Sequence, residues 1–342
     1  MLFSYVFNLL NKVCGAGLAV TCADFYRKLS GKPPVWTSHQ PLPPAMRLPN
    51  TALDGNSRPM FSLLIATINR KEPLEKLFDS LRQQTIPTDA FEILVADQNS
   101  PGFLQPIIDD YAQFLRIKVI QVPNKGVSQA RNALLPLATG RYVAFPDDDC
   151  CYEPDTLYEV QAFFTTRLHV HAIQGSWSAP GSRRDSAHHT AYLGTRYSVF
   201  RRGETYVHFF RKQAVERIGL FDPRIGPGTG LPYGCGEDTD YLLRAIEAGL
   251  TVMHVPSVHV RHNEVDVLAA KANIQKISSY AIGRMYLLHK HHLPLWFQLF
   301  NIAYPLLRMP MEGAATARYR FIMFAARLKG FFCVRFGTSP KP

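Results

Sequence analysis

The sequence predicts an α/β fold with a mainly parallel sheet over its middle two-thirds, followed by a helical appendage. Two observations lead there. Between residues 60 and 166 four short apolar runs alternate with four longer amphipathic ones, the rhythm of successive βαβ units. Beyond residue 262 the period becomes helical, and the charge changes with it. Of the formal net charge of +11, residues 1–57 carry +3, residues 58–265 carry −1 and residues 266–342 carry +9. The chain therefore divides into an N-terminal apolar segment with a linker (1–57), an ordered α/β domain (58–265) and a basic amphipathic helical region (266–342). A core so close to neutrality argues against a nucleic-acid partner, whose phosphates need basic residues on the folded domain.

The elements can be justified in order. Residues 32–59 hold seven prolines and little periodicity, as a linker does, so order is expected from Met60. Strands are expected at 60–67, 91–97, 116–122 and 141–146, each followed by a helix, at 72–84, 103–115, 126–138 and 154–166. A further amphipathic helix opens at 234–240 (GCGEDTD) and stops at Gly249. The six cysteines form no CxxC pair, which suits a reduced compartment. Asn8, Asn11 and Lys12 interrupt the apolar run near the start, so neither a signal peptide nor a spanning helix is expected there.

In parallel sheets ligands bind beyond the carboxyl ends of the strands. Polar residues gather there: Thr67, Asn69 and Arg70 after the first strand, Asp97 at the end of the second, Asn124 and Lys125 after the third, and Asp147, Asp148 and Asp149 after the fourth. Single residues of these types cap helices and make turns. Three successive aspartates repel one another, and a divalent cation with its ligand relieves that repulsion. Carboxylate oxygens suit Mn²⁺ or Mg²⁺, and these cations in turn bind diphosphates. Glu237 and Asp238 open the later helix behind a glycine-rich run, where they serve either as first-turn charges or as a base that meets an incoming substrate.

Taken together, ATINR (66–70), VADQNS (95–100), NKGVSQARN (124–132), FPDDDC (145–150), GLFD (219–222) and GEDTDYLLR (236–244) resemble the family 2 glycosyltransferases of GT-A fold, over about residues 60–262. The resemblance implies an inverting transfer of a sugar from a UDP-sugar or other nucleotide-sugar to an acceptor hydroxyl, with Mn²⁺ or Mg²⁺. It implies Asp147 near the ribose and the metal, and Asp149 and His262 on the metal, with His259 a second choice for the histidine. Asp97 would read the base, while Thr67, Asn69, Arg70 and Arg131 would line the nucleotide. Asp238 would be the general base and Glu237 an acceptor contact.

No QxxRW motif of processive synthases occurs, so a single addition is expected. The basic, aromatic C-terminal stretch suits an anionic membrane surface. By analogy the acceptor is a saccharide or lipid-linked saccharide of cell-surface polysaccharide or glycolipid assembly, and the location is cytoplasmic, on the inner face of the membrane. Two other readings compete: a sugar-phosphate nucleotidyltransferase, which would want a glycine-rich basic loop where this chain has INRKEP, and a non-catalytic nucleotide-sugar-binding module.

Overall fold

The computed structural model describes residues 58–336 except 124, 183–189, 202–203, 263–272 and 313. The N-terminal segment, the linker and Asn124 lie outside the described residues. Strands β1 (Phe61–Thr67), β2 (Phe91–Asp97), β3 (Ile117–Gln121) and β4 (Tyr142–Ala144) alternate with helices α1 (Lys71–Arg82), α2 (Gln105–Tyr111), α3 (Val127–Leu134) and, after β5 (Cys150–Tyr152), α4 (Thr156–Thr166). There follow β6 (Ala172–Ser178), β7 (Tyr192–Leu193), β8 (His208–Arg211), α5 (Lys212–Ile218), α6 (Glu237–Glu247) and β9 (Val252–His262). Three long helices close the chain: α7 (Ile274–Lys290), α8 (Leu295–Glu312) and α9 (Ala314–Arg335).

The strands form one sheet in the order β3-β2-β1-β4-β8-β6-β9-β5, with β7 also on β9. β1 to β4 pair in parallel, as the βαβ rhythm predicts. The second half is mixed: β8 runs antiparallel to both β4 and β6, while β6 and β9 are parallel. Because strand side chains alternate, β1 sends Phe61, Leu63 and Ile65 into one core layer and Leu64 into the other. Helix α1 covers the first layer with Leu74, Leu77, Phe78 and Leu81, an i, i+3, i+4, i+7 stripe. Helices α3, α5 and α6 cover the second. Both faces of the central strands are thus sealed, which is why β1 and β2 read as nearly unbroken apolar runs.

The basic C-terminal region is tied into this core. Leu287 of α7 belongs to the second layer, and Met285, Leu288, Leu293, Phe297 and Ile302 form a third cluster against which Trp296, Phe324 and Phe331 pack. Buried Asp240 of α6 meets Lys290 at 2.6 Å, His291 at 2.8 Å and Arg244 at 2.9 Å, so the second-layer helix and the end of α7 share one charge network. Helix α7 also lies directly on the loop before α6: a Cβ at Gly283 would sit 2.8 Å from the Cys235 carbonyl oxygen. Gly283→Ala must push this contact apart, and a loss of about 1–3 kcal/mol is expected in a thermal or denaturant melt.

Candidate functional site

Three parallel strands deliver their carboxyl ends to one cavity of about 600 Å³. The register aligns Thr67 with Asp97, and Ala66 bridges to Asp147, so the ends of β1 and β2 and the exit of β4 are level. The opposite wall comes from the 226–231 loop, Glu237 at the start of α6, and Lys276, Ser279 and Tyr280 of α7. Gly226 takes φ 112°, in the left-handed region, and a Cβ there would come within 3.0 Å of the Glu237 carboxyl. Glycine at this position makes room for the acid.

Asp147, Asp149 and His262 offer ligand atoms that all lie within 4.8 Å of one another. His262 is 113 residues from Asp149, and strand pairing brings the two together: β5 runs antiparallel to β9, and Cys150 sits opposite His262. The imidazole Nε2 is 3.1 Å from Asp149 Oδ1, and the ring stacks on Tyr206 at 4.4 Å with Trp177 edge-on at 6.1 Å. His259, by contrast, has Nδ1 2.7 Å from Ser176 and Nε2 2.9 Å from Ser178, so both its nitrogens hold neighbouring strand residues together. Two carboxylates and an imidazole fit Mn²⁺ or Mg²⁺, with the nitrogen favouring the former.

Burial pushes the Asp147 carboxyl up to about 6; Arg131 opposes the rise, and Asp238 and Asp149 add to it. A third of that side chain remains exposed, so a cation can reach it. Below about pH 6 a proton holds the oxygen a cation needs. Mn²⁺ affinity, measured by calorimetry, should therefore fall as pH is lowered through 6 and level off above about 7.

Arg131 is the hub of the site. Its guanidinium is 2% exposed, and from that position it donates to Asp147 at 2.8 Å, to the Thr205 hydroxyl at 2.8 Å and to Asp238 at 3.3 Å, with Glu237 at 3.7 Å. One cation thus ties the triple aspartate to the acidic pair. Thr205 completes the link, its hydroxyl donating to Asp238 Oδ1 at 2.6 Å and its backbone N–H to Oδ2 at 3.1 Å. Burial, with Asp238 adding, holds the Glu237 carboxyl well above its usual range, and Arg131 only partly offsets this. Burial therefore favours the neutral form of Glu237.

Of the residues expected from sequence, Thr67, Arg70, Arg131, Asp147, Asp149, Glu237 and His262 line the cavity. Arg70 donates to Asp148 at 2.9 Å and also pairs with Asp149, so it offsets part of the charge of the acidic turn. Asn69, Asp97 and Asp238 are not in the lining. Asn69 has φ 57° and its N–H donates to Asn99, a turn role. Asp97 accepts twice from Asn99 on Oδ1 and once from Gln121 on Oδ2, leaving about one of four acceptor positions unfilled. Asp238 sits behind Glu237, held by Arg131 and Thr205. Sequence reasoning passed over Thr205, Tyr206, Gln98 and Tyr280. Gln98 lies inside VADQNS but was given no role there, and nothing local marks the others, which reach the site through an irregular stretch and a helix beyond residue 262.

Comparison with known proteins follows this geometry. The Glycosyl transferase family 2 pattern matches residues 62–222. A poly(ribitol-phosphate) beta-N-acetylglucosaminyltransferase, TarS of Staphylococcus aureus (strain Mu50 / ATCC 700699), is 32% identical over 105 residues, which is 30% of this chain and 18% of that protein. The match thus spans under a fifth of the relative's length. The crystal structure of S. aureus TarS 1–349 in complex with UDP-GlcNAc superposes with a TM-score of 0.52 at 18% identity, covering 81% of this chain and 92% of that one. Mannosyltransferase PcManGT from Pyrobaculum calidifontis, in complex with GDP-Man and Mn²⁺, gives a TM-score of 0.56 at 17% identity, covering 82% and 88%. Residues 62–222 thus match the Glycosyl transferase family 2 pattern, and the α/β architecture that carries them is the GT-A fold of these transferases.

Proposed function

We propose that the protein is an inverting, metal-dependent transferase that moves a sugar from a UDP-sugar or other nucleoside-diphosphate sugar to an acceptor hydroxyl in cell-surface polysaccharide or glycolipid assembly. The observation that carries this reading is the Arg131 bridge, which ties a metal-type cluster to an acidic pair whose Glu237 lines the same cavity. The ligands bound by TarS and by the mannosyltransferase support the donor class. Asp147, Asp149 and His262 hold the cation, which when bound offsets charge on the departing diphosphate. Thr67, Arg70 and Gln98 border the nucleotide side. Asp238, beside Arg131 and oriented by Thr205, takes the proton of the attacking hydroxyl. Glu237, protonated, donates to the acceptor. A single displacement from the far face inverts the anomeric carbon, and no second nucleophile is needed.

The same reading sets the enzyme on the inner face of the cytoplasmic membrane. No described helix is long and apolar enough to cross one. Support for surface docking comes from α9, where Phe321, Leu328 and Phe332 are exposed beside Arg318, Arg320, Lys329 and Arg335. Trp296, Phe297, Phe324 and Phe331 face inward and take no part. Hydrolysis of UDP-, GDP- and dTDP-sugars screened with Mn²⁺ tests the function. Turnover of one donor class, lost with chelator, is expected; no turnover of any donor and no nucleotide binding would refute it.

A further inference from the structure

The C-terminal helices contain a pair of arginines that the transfer mechanism leaves unused. Arg284 of α7 donates through Nε to the Asn301 side chain at 3.2 Å, and Arg327 of α9 donates through Nη1 to the Asn301 backbone carbonyl at 2.5 Å. One residue of α8 therefore holds two guanidinium groups side by side. Arg284 also lies over the Phe200 ring at 4.1 Å. Arg131 and Arg244 elsewhere in the domain face carboxylates. Among the described residues no carboxylate pairs with Arg284 or Arg327. The charged and titratable groups that face them are each other, Cys235, Tyr304, Tyr319 and Arg320. Burial pushes the Cys235 thiol up to about 12, so it supplies no negative charge at neutral pH. Arg327 Nε is buried without an acceptor. Burial, and the other guanidinium, depress Arg284 to about 9, and burial depresses Arg327 to about 10. Two adjacent cations in a poorly solvated place with no acid cost stability, and an anion between them removes that cost.

Their position relates them to the cavity. Lys276, Tyr280 and Arg284 are spaced i, i+4, i+8 and form one stripe on α7. Lys276 and Tyr280 line the cavity, with the Lys276 ammonium 5.6 Å from the Tyr280 ring, and Arg284 follows one helical turn on. Cys235, which the arginines flank, is two residues before Glu237. We propose that Arg284 and Arg327 bind a phosphate or diphosphate group on the acceptor, with Tyr280 as a platform for its sugar and Lys276 beside it. The acceptor is then a phosphorylated saccharide, with its anionic end away from the metal cluster. The assignment of this group to an acceptor rests on the transferase reading; the binding of an anion between the arginines does not.

The test uses the full chain with chelator present, so that no cation draws diphosphate to Asp147 and Asp149. Inorganic diphosphate should raise the thermal midpoint of the wild type. In Arg284→Gln/Arg327→Gln, and in Arg327→Met alone, the response should vanish while the midpoint without diphosphate equals or exceeds that of the wild type, because an unmatched charge is gone. A merely structural role for the arginines would lower that baseline. In transfer assays KM for a sugar 1-diphosphate acceptor should rise at least tenfold in the double variant, with KM for the unphosphorylated sugar little changed. A wild type that ignores diphosphate overturns the proposal, as does an equal response in the variants. Binding to phosphatidylglycerol vesicles, but not to diphosphate, that depends on both arginines would assign the site to a lipid head group and overturn its place in the acceptor site. A diphosphate response that depends on the arginines, in a protein that turns over no sugar donor, would leave the anion site standing and the transferase reading refuted.

Discussion

Asp149→Ala should abolish sugar transfer and metal-dependent nucleotide binding together. Asp149 contributes one of the three clustered ligand groups, lies 3.1 Å from His262, and pairs with Arg70. Its removal leaves Asp147 and His262, too few protein groups to hold a hydrated divalent ion firmly, and it leaves Arg70 paired with Asp148 alone. A bound cation contributes several kcal/mol to stabilising a departing diphosphate, so a fall in kcat of about 10²–10³-fold or more is expected. Calorimetry with UDP, with and without Mn²⁺, checks the binding half of the claim. Nucleotide affinity that keeps its full metal dependence in the variant would remove Asp149 from the ligand set. The fold should survive, because the carboxylate is partly exposed and its loss relieves repulsion with Asp148.

The second large effect is expected at Asp238. Its two oxygens accept from the Thr205 hydroxyl, the Thr205 N–H and Arg131, so the group is fixed in orientation. Asp238→Asn keeps the size but cannot take up a proton, and its amide N–H₂ must oppose one of these donors. Turnover should fall about 10²–10⁴-fold, with donor affinity changed far less. The mismatched donors should also cost about 1–3 kcal/mol in a denaturant melt. Glu237→Gln serves as the comparison: a side chain that already carries a proton loses little by becoming an amide, so acceptor KM should move more than kcat. If Glu237→Gln lost the turnover and Asp238→Asn kept it, the two roles would be exchanged.

How much of this was legible in the sequence depends on range. β1 to β4 and their helices could be read directly, because β1, β2 and β4 are buried on both faces and α1 shows one apolar stripe. The second half of the sheet could not. β6 carries Gln174 and Ser176 buried, and β8 and β9 carry buried His208, His254 and His259, so no apolar run or alternation announces them. The residues of the acidic turn were legible as chemistry, whereas their partners were set by topology. Thr205 reaches Asp238 only because a short turn before β8 passes beneath α6. In the C-terminal region composition predicted one outward aromatic face. The structure divides it, with Phe324 and Phe331 packed inward and Phe321 and Phe332 outward, since α9 is apolar on more than one side.

Five carboxylates, Asp147, Asp148, Asp149, Glu237 and Asp238, meet around two arginines, Arg70 and Arg131. Even with Glu237 neutral, four carboxylates face only Arg70 and Arg131 within this cluster, with Lys125 and Lys276 lining the cavity around it, and a nucleoside diphosphate would bring more negative charge still. On the proposed function, the local crowding of carboxylates sets an expected order of events. The cation must arrive before the nucleotide or travel with it, and the spent diphosphate must leave before the cation or together with it. At fixed donor concentration the initial rate should thus rise with Mn²⁺ from zero, without a metal-independent floor.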